Sequence, residues 1–137
     1  MIHMSDNTEF QNYTTGIQHI GIPTNNLDET IAFYKKLGFE TALETVNEEA
    51  SERVAFLKLK TLVIETYENK SAVLKAGAID HVAINVFDIE KTYDYIKRLD
   101  LNTTNDDIHF LPFWDNGVKF FTIEGPNREK IEFSQYL

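Results

Sequence analysis

Two stretches decide the fold, Ile17-Gln-His-Ile-Gly-Ile22 and Ile79-Asp-His-Val-Ala-Ile84, because they are one stretch written twice. Each leads into a second matching run. Asn26-Leu-Asp-Glu-Thr-Ile-Ala-Phe-Tyr-Lys-Lys-Leu-Gly-Phe39 is answered by Asp88-Ile-Glu-Lys-Thr-Tyr-Asp-Tyr-Ile-Lys-Arg-Leu-Asp-Leu101. An offset of 62 aligns both runs without a gap and lays His19 on His81. Each copy then closes on a strand-like run with a Glu after Ile: Glu65 in Val63-Ile-Glu-Thr-Tyr67, and Glu132 in Lys130-Ile-Glu-Phe-Ser134. Self-similarity at a fixed spacing marks one supersecondary unit used twice.

Within the first copy, alternation and β-branched residues predict a strand over Ile17–Ile22, with Ile17, His19 and Gly21 on one face. Pro23 is expected to end it, since proline cannot donate to a ladder. Asn26 or Asp28 can cap the next helix, which carries an apolar stripe of Leu27, Ile31 and Tyr34 widened by Phe33 and Leu37. Gly38 suits the left-handed position that closes it. Strand-like runs follow at Thr41–Val46, Arg53–Leu59 and Thr61–Tyr67, giving a β-α-β-β-β unit. The second copy repeats this plan: a strand over Ile79–Val86, then a helix capped by Asp88 and striped by Ile89, Tyr93, Ile96 and Leu99. Its later strand-like runs lie near Leu101–Thr104, Ile108–Phe113, Gly117–Glu124 and Glu129–Gln135, two of which can be one bent strand. The expected organisation is a flexible lead-in over 1–16, containing His3, and one domain over 17–137. Within it, module one spans 17–68, a linker 69–78 and module two 79–137. The class is α+β: two tandem β-α-β-β-β modules form a curved, mixed-sheet, barrel-like cavity with the helices outside.

Composition bounds what such a domain does. The 137 residues are 42% hydrophobic and 26% charged, an ordinary globular balance with enough chain for a real core. No cysteine is present, which excludes disulfides, thiolate metal sites and Cys nucleophiles. A net charge of −9 argues against binding a phosphate backbone. The absence of a long apolar run or a signal-peptide pattern leaves a cytoplasmic protein, with neither membrane nor nucleic-acid partner, as the expectation.

Alternation allows His19, Glu65, His81 and Glu132 all to face the concave side. A lone strand His is most often a hydrogen-bonded surface or core residue, and a lone strand Glu usually faces solvent. The repeated pairing changes that reading. Two carboxylates buried together need a cation, and no Lys or Arg recurs at equivalent positions on these strands. A divalent metal neutralises them, with two imidazoles and two carboxylates as ligands. This mixed N/O set suits Zn, Ni, Fe, Co or Mn. Tyr67, Phe113, Trp114 and Phe121 are candidates to line the cavity, although core packing explains Phe113 and Phe121 about as well.

These residues resemble the vicinal oxygen chelate superfamily, which holds glyoxalase I, extradiol dioxygenases, fosfomycin-resistance thiol transferases, methylmalonyl-CoA epimerase and bleomycin-resistance proteins. The resemblance rests on the strand His, the helix end Phe33-Tyr34-Lys-Lys-Leu-Gly38-Phe39, and Gly125-Pro126 ahead of Lys130-Ile-Glu132-Phe, and it covers residues 17–136. It implies a metal set of His19, Glu65, His81 and Glu132, in the order used by bacterial glyoxalase I. Glu65 separates the readings: transferases and dioxygenases resemble each other in using two His and one Glu, and the epimerase typically has Gln there. The implied activity is a glyoxalase-like lyase or isomerase. It removes a proton beside a carbonyl of a 2-oxoaldehyde–thiol adduct or related vicinal-oxygen substrate, through an enediolate stabilised by one divalent metal, Ni or Zn first. Either Glu65 or Glu132 can be the base. Asn69 matches a glutathione-contact position, whereas Pro23 stands where glutathione-using members often carry Arg. Small two-module members resembling this chain are usually homodimers, with the site inside one chain or between two. The alternatives are an epimerase or another metalloenzyme of the superfamily, and a small-molecule binding or resistance module without turnover.

Overall fold

The computed structural model describes residues 8–137; residues 1–7, including His3, lie outside the described residues. After a short 3-10 turn at Glu9–Asn12 the first module runs β1 (Ile20–Thr24), α1 (Leu27–Lys36), β2 (Glu40–Asn47), β3 (Glu52–Leu59) and β4 (Leu62–Glu68). The second runs β5 (His81–Asn85), α2 (Ile89–Arg98), β6 (His109–Leu111), β7 (Val118–Glu124) and β8 (Lys130–Tyr136). Each module is a four-stranded sheet of the same order, β1-β4-β3-β2 and β5-β8-β7-β6. In both, the first strand joins the last in parallel and the remaining pairs are antiparallel. One helix covers each sheet.

The helices start and stop as their sequences dictate. Asn26 accepts from the Glu29 backbone N–H at 3.0 Å, and Asp88 from that of Lys91 at 3.0 Å, so Asn26 rather than Asp28 is the first cap. At the other end Gly38 turns left-handed (φ 92°), and the Phe39 N–H returns to the Tyr34 carbonyl. Module two makes the same closure with Asp100 at φ 57° and Leu101 bonded back to Ile96.

Three expectations need correction. The first strand is Ile20–Thr24, not Ile17–Ile22, and Pro23 lies inside it. Since β1 is the edge of its sheet, the missing N–H takes nothing from an inner ladder. His19 therefore sits just ahead of the strand. Leu101–Thr104 is not a strand: Leu101 packs into the core, and the Asn102 side chain clamps the loop by bonding both the N–H and the carbonyl of Asp106 at 3.0 Å. The two sheets also stay separate, and no barrel closes among the described residues.

What joins the modules is the helix-covered side. Leu27, Ile31, Tyr34, Ile64, Ile89, Ile96, Phe121 and Ile131 belong to one buried cluster. Across the seam, Tyr34 Oη donates to Glu129 Oε2 at 2.7 Å, and Asn127 Nδ2 donates to Thr30 Oγ1 at 3.0 Å. Burial pushes the Glu129 carboxyl above its ordinary value, and burial beside Glu129 pushes the Tyr34 hydroxyl well above its own. With the modules joined this way, no further strand or helix among the described residues packs across the opposite face of either sheet.

The two cores fill their space differently. In module one the bulk comes from the helix side, where Tyr34 meets Phe39 edge-on at 5.0 Å, while the facing sheet pair is Ala55 and Thr66. In module two the corresponding sheet pair is Phe121 and Phe133, rings 5.1 Å apart, and the helix side carries Ile96 and Leu101. Close packing requires only that the total volume be met.

Candidate functional site

On the open face of module one, Gly21 pairs with Glu65, and His19, just ahead of the strand, reaches over the same carboxylate. His19 Nε2 lies 3.3 Å from Glu65 Oε1, and the imidazole packs edge-on against Phe56 at 5.6 Å. Module two repeats the arrangement with Ala83 opposite Glu132, and His81 Nε2 3.7 Å from Glu132 Oε1. A glycine and an alanine at the paired positions keep both faces open above the Glu.

Each imidazole is oriented by the residue before it. His19 Nδ1 is 2.9 Å from Gln18 Oε1, and His81 Nδ1 is 3.0 Å from Asp80 Oδ2. Both partners offer an oxygen to Nδ1, and the Nε2 of each ring faces the Glu. An imidazole anchored at one nitrogen by an acceptor and free to ligate through the other is the arrangement found in metal sites. Asp80 is drawn further into this role: its hydrogen bond to His81, then its bond to Lys130, hold its carboxyl below the usual range. Gln18 and Asp80 escaped sequence reasoning, although a polar acceptor immediately before both repeated His residues was the available signal.

The chain brings together His19 with Glu65 and His81 with Glu132, but not the two pairs with each other. Among the described residues no three His, Asp or Glu side chains gather where they could hold one metal ion. Each open face carries one imidazole and one carboxylate, donor types that fit a divalent metal.

The walls of the halves differ. Over Glu65 lies a hollow of about 300 Å³ lined by Gly21, Asn47, Glu52, Val54 and Tyr67. Over Glu132 lies a larger one of about 480 Å³, walled by Leu111, Phe113, Trp114, Val118, Phe120 and Tyr136. Tyr67, Phe113 and Trp114 thus line open faces. Phe121 does not; it is fully buried on the helix side, stacked near Phe133 and Tyr93. Asn69 lies beyond β4, where its side chain accepts from the Ser71 N–H at 2.9 Å, and it is not part of the hollow over Glu65. His109 pairs with Asp106 at 2.7 Å and lies 5.5 Å from the Phe120 ring, behind the wall of the larger hollow and outside its lining.

Duplicated β-α-β-β-β sheets, each with a His and a Glu on the open face, define a class, and the chain belongs to the Glyoxalase/Bleomycin resistance protein/Dioxygenase superfamily, whose model matches residues 16–133. Members of this superfamily are often enzymes, bind small-molecule substrates and a divalent metal, and often form dimers. The chain is 31% identical over 87% of its length to the uncharacterized protein YwbC of Bacillus subtilis (strain 168), covering 96% of that protein. Its fold is similar to that of the glyoxalase family protein from Enterococcus faecalis (TM-score 0.70, 22% identity, 89% of this chain and 98% of that one). It is also similar to the fosfomycin resistance protein FosX from Listeria monocytogenes, complexed with Mn(II) and sulfate (TM-score 0.67, 15% identity, 90% of this chain and 94% of that one). A third likeness is to lactoylglutathione lyase from Agrobacterium tumefaciens (TM-score 0.61, 16% identity, 89% of this chain and 94% of that one). No helix among the described residues is long and apolar enough to cross a membrane.

Proposed function

We propose that this chain is a cytoplasmic, homodimeric, divalent-metal-dependent enzyme of the glyoxalase type. Its site forms when His19 and Glu65 of one chain face His81 and Glu132 of a second, and residues 17–137 serve as one functional unit. The observation that carries the reading is the pair of half-sites, each with one imidazole Nε2 within 3.3 or 3.7 Å of a carboxylate on an uncovered face. Two donors are too few for a metal, and two complementary pairs supply the four that Zn or Ni commonly takes. The open faces belong to different sheets of a chain whose helix sides are already joined, so a second copy is the natural cover.

Within that site the chain's own groups divide the work. His19 and His81, with Nδ1–H held by Gln18 and Asp80, act as neutral donors and not as bases. Glu65 or Glu132 takes a proton from a carbon beside a carbonyl and returns it to the neighbouring carbon, which turns a 2-oxoaldehyde–thiol adduct into a 2-hydroxy thioester. A divalent metal, when bound, supplies Lewis-acid stabilisation for the two adjacent substrate oxygens. The apolar walls of the second hollow keep bulk water from the reacting carbon.

The test uses complementation. His19→Ala and His81→Ala chains should each bind little metal and turn over poorly. Co-refolded in equal amounts, they should recover metal and activity, because each mixed pair contains one intact site. A site within one chain would recover nothing on mixing. Metal recovered without turnover on any 2-oxoaldehyde–thiol adduct would favour a binding module instead.

A further inference from the structure

The walls of the two half-sites carry information that their ligands do not. Neither hollow contains a Lys or Arg among its lining residues, while together they hold Glu52, Glu65 and Glu132. Two cations stand on the same sheet faces outside the hollows. Lys130 is engaged by Asp80 at 3.0 Å, and Lys58 lies beyond Phe56 on β3. A divalent metal balances two of the three carboxylates, which leaves the joined site with surplus negative charge. The whole chain, at −9, adds a field of the same sign. An anionic substrate arm would enter this space without a partner and lose its hydration.

The second hollow offers a different surface. Trp114 meets Tyr136 edge-on at 5.5 Å, and Phe113 and Phe120 complete an aromatic wall beside His81 and Glu132. Trp114 is 73% exposed and held at φ 64°, in the left-handed region that a bulky residue seldom adopts. Such backbone conformations cluster where a side chain is presented for use. A volume of about 480 Å³ lies within the range of small-molecule pockets.

We infer that the substrate is an uncharged vicinal-oxygen compound carrying a flat apolar group, which lies against Phe113, Trp114 and Tyr136 while its oxygens face His81 and Glu132. This rests on the functional reading above and names the substrate class of that site. It also sets the thiol partner, where one is used, as a neutral or amine-bearing thiol rather than a polycarboxylate.

Trp114 is the chain's single tryptophan, so its fluorescence reports the hollow directly. The metal-loaded protein would be titrated with 2-hydroxyacetophenone, which joins adjacent oxygens to a phenyl ring. Hydroxyacetone, which lacks the ring, and 4-(hydroxyacetyl)benzoate, which adds a distal carboxylate, would then be used as competitors. The expected result is saturable quenching, with each competitor needing at least roughly tenfold higher concentration, the usual scale of apolar-pocket discrimination. Phe113→Ala should weaken 2-hydroxyacetophenone and leave hydroxyacetone unchanged. Non-saturating quenching, a benzoate that competes as well as the parent ketone, or a hydroxyacetone that does so, would overturn the inference. Repeating the titration after chelation separates the two readings. Ring and charge preferences that survive without metal stand even if the metal-dependent function fails. A metal-dependent affinity that ignores ring and charge defeats this inference alone.

Discussion

Module one sets Glu65 in a small hollow edged by Asn47 and Glu52, with His19 outside its lining; module two sets both His81 and Glu132 in a larger hollow walled by aromatic rings. Behind the sheets, module one packs Tyr34 and Phe39 over Ala55 and Thr66, and module two packs Phe121 and Phe133 under Ile96 and Leu101. What the copies share is the chemistry-bearing pair and the acceptor on each Nδ1. What they have exchanged is everything that only needs to fill space or shape a wall. Duplication gave two equivalent His–Glu pairs, and divergence made the surroundings of one polar and of the other apolar.

The comparison breaks first at the carboxylates. If the halves divide labour, one of Glu65→Gln and Glu132→Gln should lose about 10²–10⁴-fold in turnover, as general-base removal does, and the other far less. Metal analysis of both variants accompanies the rates. A Glu65→Ala chain unchanged in metal content and turnover would end the glyoxalase reading.

The core exchange is tested next. Phe121→Ala should cost about 3–5 kcal/mol in denaturant unfolding, since the ring is fully buried between Tyr93 and Phe133. Phe39→Ala in module one should cost a similar amount, although its bulk enters from the helix side. A loss below about 1 kcal/mol at either site would mean that the two cores do not balance in this way.

Module one also carries an imperfection that module two lacks. The Thr66 hydroxyl is buried without a hydrogen-bond partner, at the position where module two places Phe133. Thr66→Val keeps the shape and removes the unpaired group, so stability should rise by about 1 kcal/mol. An unchanged or lower melting temperature would contradict this.

The smallest difference lies at the helix ends. Gly38 and Asp100 occupy equivalent left-handed positions, at φ 92° and 57°, and only glycine does so without strain. Asp100→Gly should stabilise module two by a few tenths to about 1 kcal/mol. Gly38→Ala should destabilise module one by about as much, because a Cβ there would meet Leu59 at an ordinary 3.8 Å and only backbone strain opposes it. Equal and opposite shifts in unfolding midpoint would confirm the equivalence.

Much of this was legible in the sequence. Periodicity and caps located both helices, because an apolar stripe and an Asn or Asp at its head are local signals. The repeat put one His and one Glu in each module, and the fold brings each such pair together. Legibility failed where an outcome depended on neighbours. Pro23 reads as a stop, yet at a sheet edge it is tolerated, and edge status is a property of the assembled sheet. Leu101–Thr104 alternates like a strand, but Leu101 is claimed by the core and Asn102 by its own loop. Phe121 reads equally as wall or core until register assigns its face. The seam of Tyr34, Glu129, Thr30 and Asn127 has no periodic signature, so nothing in the pattern foretold that the modules join by their helix sides and leave the two His–Glu pairs apart.

That seam also sets the order in which the molecule can form. Every strand pairing closes within one module, whereas the Tyr34–Glu129 and Thr30–Asn127 bonds join residues 95 and 97 apart in the chain. As the chain leaves the ribosome, the first sheet has its last strand in hand well before Asn127 exists, and domains generally fold as units in that direction. The seam is therefore expected to form late on the folding route, and interactions absent from the transition state govern how fast a protein comes apart. Tyr34→Phe should speed unfolding in denaturant jumps while leaving the refolding limb where it was. A slowed refolding limb would place the seam in the nucleus instead. A helix-side hydrogen bond remote from either His–Glu pair would in this way set the lifetime of the open faces that carry them.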